Sequence, residues 1–247
     1  METAAYSHVG NVRRTNEDNY YVSSFDDGIG FALVADGMGG HKGGKFASKK
    51  AVECISEYLN TEFDMKNIDI DDSEHIIENI SDAISKANST VYIEALSDEN
   101  LMGMGTTIVL AFIKDKELYA ANVGDSRLYI INKEKIVQVT KDHSMVQELI
   151  DKGTLKKDDA TLSSNKNIIT RAVGTERTVM ADFYRHTLEN GDIVMLCTDG
   201  LTNMVSDDEI KEVFDENVDL DSCVQILVNR ANNRGGYDNS TVVAVRI

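Results

Sequence analysis

The sequence predicts an α+β fold in which helices cover antiparallel β-sheets. Many of its apolar runs are short and rich in β-branched and aliphatic residues, which is typical of strands rather than helices. Several of these runs follow one another across short polar links, as antiparallel neighbours do. Strand-like and helix-like runs are also grouped in separate stretches of the chain, and this segregation favours α+β over an alternating α/β arrangement.

The first half of the chain is expected to contain strands followed by two long helices. Two or three strands are predicted within residues 6–35. Apolar residues at helical spacing predict helices over residues 41–60 and 73–96, each with one apolar face. The residues between them, 62–72, are strongly charged and are expected to form the connection.

The middle of the chain is expected to form an antiparallel meander, because its links are short and polar. Its strands are predicted at 105–113, 117–123, 127–132 and 135–139. Residues 142–165 are then expected to be helical at first and irregular afterwards. The last predicted elements are strands near 168–170, 181–187 and 192–197, helices at 206–214 and 219–232, and a strand at 241–247.

Composition and charge narrow the possible classes of protein. The 247 residues fit one large domain, and the net charge of −17 lacks the basic footprint of a nucleic-acid binder. The longest apolar run, Ile108 to Ile113, is far shorter than a membrane span, and the N-terminal residues lack the apolar core of a signal peptide. The three cysteines are odd in number and lie in apolar surroundings. We therefore expect reduced cysteines in a cytoplasmic protein with neither nucleic-acid nor membrane partners.

Aspartates mark the ends of the predicted strands. Asp36, Asp125 and Asp199 each follow an apolar run, and Asp238 opens the last one. Carboxylates at strand ends lie at the rim of a sheet and can converge on one point, where they repel one another unless cations lie between them. Oxygen ligands in this number suit Mg²⁺ or Mn²⁺. The pattern therefore predicts a metal-dependent reaction.

Eight short motifs surround these aspartates. They are RRTNED (13–18), VADGMGGH (34–41), MGTT (104–107), VGDSR (123–127), TKDHS (140–144), NIITRAVG (167–174), TDGL (198–201) and YDNST (237–241). Together and in this order, from residue 6 to residue 245, they closely resemble the bacterial branch of the type 2C metal-dependent Ser/Thr protein phosphatases, the PPM family. One motif alone would be weak evidence, whereas eight in order over nearly the whole chain are strong evidence.

The resemblance implies a fold and a set of core metal ligands. The fold is a central sandwich of two antiparallel β-sheets flanked by helices (α-β-β-α), with metals at the sandwich edge and a flap near residues 145–166. By position, Asp36 is expected to bridge two ions and the Gly37 carbonyl to bind one of them. Asp199 and Asp238 are expected to bind the other. The chain would then be a single PPM-type catalytic domain over residues 1–247.

Other residues match the family at the edge of this metal site. Asp125 resembles the ligand of a third, weaker metal that bacterial members bind. Glu17 and Asp18 are expected to contact the metals mainly through waters. Arg13 matches the family's phosphate-binding arginine, whose guanidinium can fork onto two phosphoryl oxygens. The implied cofactors are Mn²⁺ or Mg²⁺, with two core ions and a possible third.

One position departs from the eukaryotic relatives. There a histidine follows the Asp-Gly pair and is proposed to protonate the leaving oxygen, whereas this chain has Met38. His41 lies three residues further on and is a candidate proton donor. A metal-bound water is the alternative, and the sequence leaves the choice open.

The activity implied by the resemblance is hydrolysis of phosphoserine and phosphothreonine in proteins by a metal-bridging water. The expected partners are phosphorylated proteins, including substrates of a eukaryotic-like bacterial Ser/Thr kinase and the kinase itself. The expected oligomeric state is a monomer.

Two alternatives remain. The first is a catalytically silent PPM module used for binding. The second is a nucleotide-binding loop, since Gly39 to Lys45 fits G-x-x-x-x-G-K, although Phe46 stands where Ser or Thr would bind Mg²⁺. A cysteine-based phosphatase is disfavoured, because no cysteine is followed by arginine at the spacing that this chemistry needs.

Overall fold

The structure, a computed structural model, describes residues 1–39, 43–155, 168–217 and 219–247. The strands are Glu2–His8 (β1), Asn19–Val22 (β2), Ile29–Ala35 (β3), Gly37–Met38 (β4), Gly105–Thr106 (β5), Ile108–Lys114 (β6), Glu117–Val123 (β7), Arg127–Ile131 (β8), Ile136–Gln138 (β9), Asp182–Thr187 (β10), Ile193–Cys197 (β11) and Ser240–Arg246 (β12). The α-helices are Gly43–Thr61 (α1), Ser73–Ser97 (α2), Met145–Asp151 (α3), Asp199–Thr202 (α4), Asp207–Glu216 (α5) and Leu220–Asn233 (α6).

Two antiparallel sheets form the centre of the fold. One has the strand order β1-β12-β11-β8-β9, and the other has the order β10-β7-β6-β3-β2. A short separate pair, β4 with β5, follows directly after β3. Neighbouring strands pair antiparallel in both sheets. The predicted α+β class with antiparallel sheets is therefore confirmed.

Strand β3 shows how the layers are stacked. Phe31, Leu33 and Ala35 pack in the cluster that contains the apolar faces of α1 and α2. Ala32 and Val34, on the opposite face of the strand, pack in the cluster that lies between the two sheets. Both faces are buried, which is why this segment is a continuous apolar run rather than an alternating one. A third cluster joins the other sheet to α5 and α6, and the layers are therefore α-β-β-α.

The helices form where apolar stripes and capping residues coincide. In α2, Ile76, Ile80, Ile84 and Val91 are buried along one face at helical spacing. Asp72 caps this helix by accepting a hydrogen bond from the backbone N–H of His75 at 3.1 Å. The predicted helices at 41–60, 73–96, 206–214 and 219–232 are confirmed to within a few residues.

The prediction that the four strands of the meander form one sheet is wrong. The hairpin β6–β7 belongs to one sheet and the hairpin β8–β9 to the other. The chain crosses between the sheets at Gly124, whose φ of +111° favours glycine. A Cβ at Gly124 would lie 2.5 Å from Thr107 Cγ2. A tight turn here redirects the chain, and short link lengths alone do not reveal to which sheet the next strand belongs.

Two smaller expectations also change. Residues 168–170 form no strand, because Ile169 makes only an isolated bridge to Ser144. The short helix α4 begins directly at Asp199, where the sequence indicated only the end of a strand. The predicted flap at 145–166 begins with α3 and is described only as far as residue 155; the rest lies outside the described residues.

In the part of the chain that is described, no helix combines the length and the apolar character needed to cross a membrane.

Candidate active site

The four strand-end aspartates face one cavity. Asp36 follows β3, Asp125 follows β7, Asp199 follows β11 and Asp238 precedes β12, so both sheets contribute. The cavity has a volume of about 400 Å³. Its lining residues are Arg13, Glu17, Asp36, Gly37, Met38, Gly39, Asp125, Ile169, Asp199, Asp238 and Asn239. The structure therefore brings together every described residue of the predicted site except Asp18, and His41 lies outside the described residues.

Burial and mutual repulsion favour the protonated forms of Asp36 and Asp199. Burial and the nearby charges of Asp18 and Asp199 raise the pKa of Asp36 well above its ordinary value. Burial and the charge of Asp238 raise the pKa of Asp199 as well, and its carboxyl is hydrogen-bonded to that of Asp36. Two carboxyls can share a hydrogen bond only when one of them is protonated. Without cations, protons thus compensate part of the negative charge of the cavity.

Asp18 lies just behind the cavity, in the buried interior. Its Oδ2 accepts hydrogen bonds from Thr198 Oγ1 at 3.0 Å and from Thr241 Oγ1 at 2.7 Å. Its Oδ1 is buried with no hydrogen-bond partner among the described residues. Burial raises the pKa of Asp18 to about 7, although the two hydroxyl donors oppose this shift.

Asp125 resembles Asp18 in having one buried carboxyl oxygen without a hydrogen-bond partner among the described residues. Its Oδ1 is buried and also lacks a partner within the described ranges. Burial and the charges of Asp199 and Asp142 raise the pKa of Asp125 to about 8. Uncompensated buried carboxylate oxygens are costly. A donor set made only of carboxylate and carbonyl oxygens fits a hard divalent cation such as Mg²⁺ or Mn²⁺.

The carboxylates are not already arranged as metal ligands. Among the described residues, no group of three or more His, Cys, Asp or Glu side chains is positioned to hold a metal ion. The carboxyls of Asp36 and Asp199 are hydrogen-bonded to each other, and Asp238 Oδ2 accepts a hydrogen bond from Arg13 Nη2 at 2.8 Å. Metal binding would therefore have to displace protons and the arginine from these oxygens.

Asn239 is a positioning residue that the sequence analysis missed. Its Oδ1 accepts a hydrogen bond from the backbone N–H of Glu17 at 2.8 Å. Its Nδ2 donates to the carbonyls of Val9 at 2.8 Å and Thr15 at 3.1 Å. The side chain is buried, so these bonds hold the loop that carries Arg13 against the end of β12. The only indication of this role in the sequence is its position directly after Asp238.

Two threonines hold the backbone at Asp36. The Asp36 N–H donates to Thr107 Oγ1 at 2.9 Å, and Thr106 Oγ1 donates to the Asp36 carbonyl at 2.8 Å. Gly37 is required next, because a Cβ there would collide with the carbonyl of Gly44. These contacts fix the backbone position of Gly37, which lines the cavity.

The start of α1 is unsuited to a nucleotide phosphate. Gly44 packs so closely that a Cβ on it would lie 2.5 Å from Glu17 Oε2 and 2.7 Å from the Gly37 carbonyl oxygen. A carboxylate and a carbonyl oxygen at this place repel phosphate. The preceding strand β3 also belongs to an antiparallel sheet. The nucleotide-binding alternative for Gly39 to Lys45 therefore has no support in the described part of this loop.

His143 holds the turn that leads into Asp125. Its Nδ1 accepts a hydrogen bond from the N–H of Gly124 at 3.0 Å, and its own N–H donates to the Gly124 carbonyl at 2.9 Å. Its Nε2 lies 3.2 Å from Asp182 Oδ2. Burial lowers the pKa of His143, which favours the neutral ring that these contacts require. His143 thus orients the turn at Gly124.

The cysteines take no part in the site. Cys197 is buried at the end of β11, and burial raises its pKa to about 12. A thiol with this pKa is a poor nucleophile at neutral pH.

The α-β-β-α sandwich and the carboxylate-lined cavity at its edge define the architecture of a PPM-type phosphatase. Comparison with known proteins agrees: the model of the Protein phosphatase 2C family matches residues 6–238. The chain belongs to this family.

Relatives in sequence and in structure cover nearly the whole chain. The serine/threonine phosphatase stp of Listeria monocytogenes is 37% identical over 236 residues, which are 96% of this chain and 92% of that protein. The structure of the S. agalactiae serine/threonine phosphatase matches with a TM-score of 0.89 and 34% identity, covering 100% of this chain and 99% of that one. The catalytic domain of the serine threonine protein phosphatase PstP, in complex with two manganese ions, matches with a TM-score of 0.84 and 29% identity, covering 98% and 96% of the two chains.

Proposed function

We propose that this protein is a Mn²⁺- or Mg²⁺-dependent phosphatase that hydrolyses phosphoserine and phosphothreonine in proteins. The observation that carries the proposal is the convergence of Asp36, Asp125, Asp199 and Asp238 on one cavity beside Arg13. The unpartnered oxygens of Asp18 and Asp125 add a physical reason for a cation to bind there. Membership of the family and the names of the relatives point to the same reaction.

The proposed ligands follow from the cavity lining. The core pair of ions would be held by Asp36, the Gly37 carbonyl, Asp199 and Asp238, a third ion by Asp125, and Glu17 and Asp18 would act through waters. When bound, such cations activate water at neutral pH and neutralise phosphoryl charge. The manganese ions in the PstP structure support the choice of metal.

The protein's own side chains would bind and orient the phosphoryl group. Arg13 is half-exposed at the cavity and pairs with Asp238. The Arg13 guanidinium can donate two parallel hydrogen bonds to phosphoryl oxygens, and a cation held by Asp238 would release it from its present ion pair. Asn239 keeps the Arg13 loop in place during this exchange. The proton donor to the leaving oxygen is proposed to be His41 or a water. Unchanged kcat of His41→Ala on a phosphopeptide would exclude His41.

The test compares the wild type with Asp199→Asn. We expect hydrolysis of p-nitrophenyl phosphate and of a phosphothreonine peptide in Mn²⁺, loss of activity in EDTA, and loss in Asp199→Asn. Asp215→Asn is the matched control, because Asp215 pairs with Lys211 on the surface of α5, outside the cavity. EDTA-resistant turnover would contradict metal dependence. A folded, Mn²⁺-binding wild type that turns over neither substrate would support the catalytically silent module instead.

The extent of the domain, the oligomeric state and the protein partners are proposed from the family resemblance alone. We propose one catalytic domain over residues 1–247, acting as a monomer on the substrates of a eukaryotic-like Ser/Thr kinase and on the kinase itself. The cytoplasmic location remains a prediction from the sequence. Sedimentation would test the oligomeric state, and dephosphorylation of the purified kinase would test the partner.

A further inference from the structure

Two exposed apolar residues lie beside one edge of the cavity without being part of its lining. Val12 directly precedes Arg13, and Tyr237 directly precedes Asp238, so each is next in the chain to a lining residue. Both residues are 61% exposed. We call Val12 and Tyr237 the apolar rim. The proposed function assigns a role to their neighbours and none to them.

The rim is held rigidly by the loops that carry it. The N–H groups of Asn11 and Val12 both donate to the carbonyl of Gly236, at 2.7 Å and 3.3 Å. Asn11 Nδ2 also donates to the carbonyl of Asn232 at 2.7 Å. The loop around residues 10–13 and the loop around residues 235–238 are thus joined into one unit. The backbones at Val12 and Tyr237 are therefore held next to each other, so the two loops need little ordering before they bind a ligand.

The ring of Tyr237 has a defined place on this unit. Gly235 has a φ of +133°, and a Cβ on it would lie 2.5 Å from Cε2 and 2.8 Å from Cζ of Tyr237. The ring therefore packs directly on the Gly235 backbone, and only a glycine allows this approach. Tyrosine offers a large contact area with few rotatable bonds, so it loses little entropy on binding.

We infer that the apolar rim binds an apolar residue next to the phosphorylated residue of the substrate. This inference rests on the proposed function. A phosphate that reaches Arg13 brings the adjoining substrate residues near Val12 and Tyr237, because these two residues directly precede Arg13 and Asp238 in the chain. The lining side chains other than Arg13 carry no positive charge, and five of them are acidic: Glu17, Asp36, Asp125, Asp199 and Asp238. This charge disfavours an acidic flanking residue, whereas Val12 and Tyr237 offer apolar contact to an apolar one.

The test measures kcat/KM in Mn²⁺ on a series of phosphothreonine peptides. Each peptide has a Gly/Ser background and one Leu at one of the two positions on either side of phosphothreonine. We expect the wild type to prefer Leu over Ser at one or more positions by roughly 5- to 10-fold, the scale of one well-buried apolar contact. The preference should appear mainly in KM. Tyr237→Ala and Val12→Ser should remove it, and Tyr237→Phe should retain it.

Controls separate this inference from the proposed function. The Gly/Ser peptide without Leu should be hydrolysed equally by the wild type and the rim variants. Ile93→Ala removes another exposed apolar side chain, 63% exposed on α2 and outside the cavity lining, and should keep the preference. Hydrolysis without any apolar preference, or a preference that survives both rim substitutions, would overturn the inference alone. Self-association that depends on Tyr237, without a peptide preference, would also overturn it. Hydrolysis of none of the peptides would overturn the proposed function and the inference with it.

Discussion

The metal-free protein should lose stability as the pH rises, because buried carboxyls of the cavity region bind protons in the folded state. Asp18 is the clearest case: its pKa is raised from 3.8 to about 7. A carboxyl whose pKa is raised on folding stabilises the protein below its unfolded pKa, and this contribution is lost as the pH rises through the folded pKa. Between these values the free energy of unfolding falls by about 1.4 kcal/mol per pH unit for each group. Asp18 alone thus accounts for a loss on the order of 4 kcal/mol between about pH 4 and pH 7.

Asp125 should extend this loss to higher pH. Its pKa is raised from 3.8 to about 8, so Asp125 keeps its proton to about one pH unit higher than Asp18 does. Bound divalent cations replace the protons and pair with ionised carboxylates. The Mn²⁺-loaded protein should therefore show a much flatter profile and be the more stable form at pH 8.

Urea unfolding at pH 5, 6, 7 and 8, in EDTA and in Mn²⁺, measures these profiles. Far-UV circular dichroism is the suitable probe, since the chain contains no tryptophan. Asp18→Asn should reduce the slope in EDTA, because it keeps an acceptor for Thr198 and Thr241 but cannot ionise. Asp215→Asn should leave the slope unchanged. A metal-free free energy of unfolding that is constant or rises from pH 5 to pH 8 would show that these carboxyls do not take up protons on folding.

Two substitutions test how the site is positioned. Asn239→Ala should lower kcat/KM on a phosphopeptide by about tenfold through loss of the Arg13 loop bonds, and should have little further effect in an Arg13→Ala background. Full additivity of the two substitutions in a double-mutant cycle would contradict this coupling. Gly124→Ala should lower the free energy of unfolding by about 2–3 kcal/mol, because it forces a positive φ and a clash with Thr107. A loss below about 0.5 kcal/mol in urea unfolding would show that the turn adapts.

Much of the fold could be predicted because it depends on short-range pattern. The apolar stripe of α2 and the capping by Asp72 are visible in neighbouring residues, and the structure agrees. The strands that end at Asp36 and Asp199 were also predicted, because runs such as Ile193 to Cys197 are too short and too β-branched for helices. The expected α-β-β-α layers followed from the family resemblance and are confirmed.

The assignment of strands to sheets could not be predicted in the same way. Links of similar length join β6 to β7 within one sheet and β7 to β8 across two sheets. The difference lies in Gly124 and in its contacts with Thr107 and His143, which are distant in the chain. Patterns within one segment carry no information about such contacts.

Local pattern alone thus determined most of the strands and helices and the placing of aspartates at strand ends, because side-chain periodicity and short apolar runs are properties of neighbouring residues. Tertiary structure alone decided how those aspartates behave. Pairing of β1 with β12, from opposite ends of the chain, forms part of the layer that buries Asp18 beneath Thr198 and Thr241. Burial and the proximity of several charges then raise the pKa values of the carboxyls, and these are long-range effects that exist only once the two sheets have packed together.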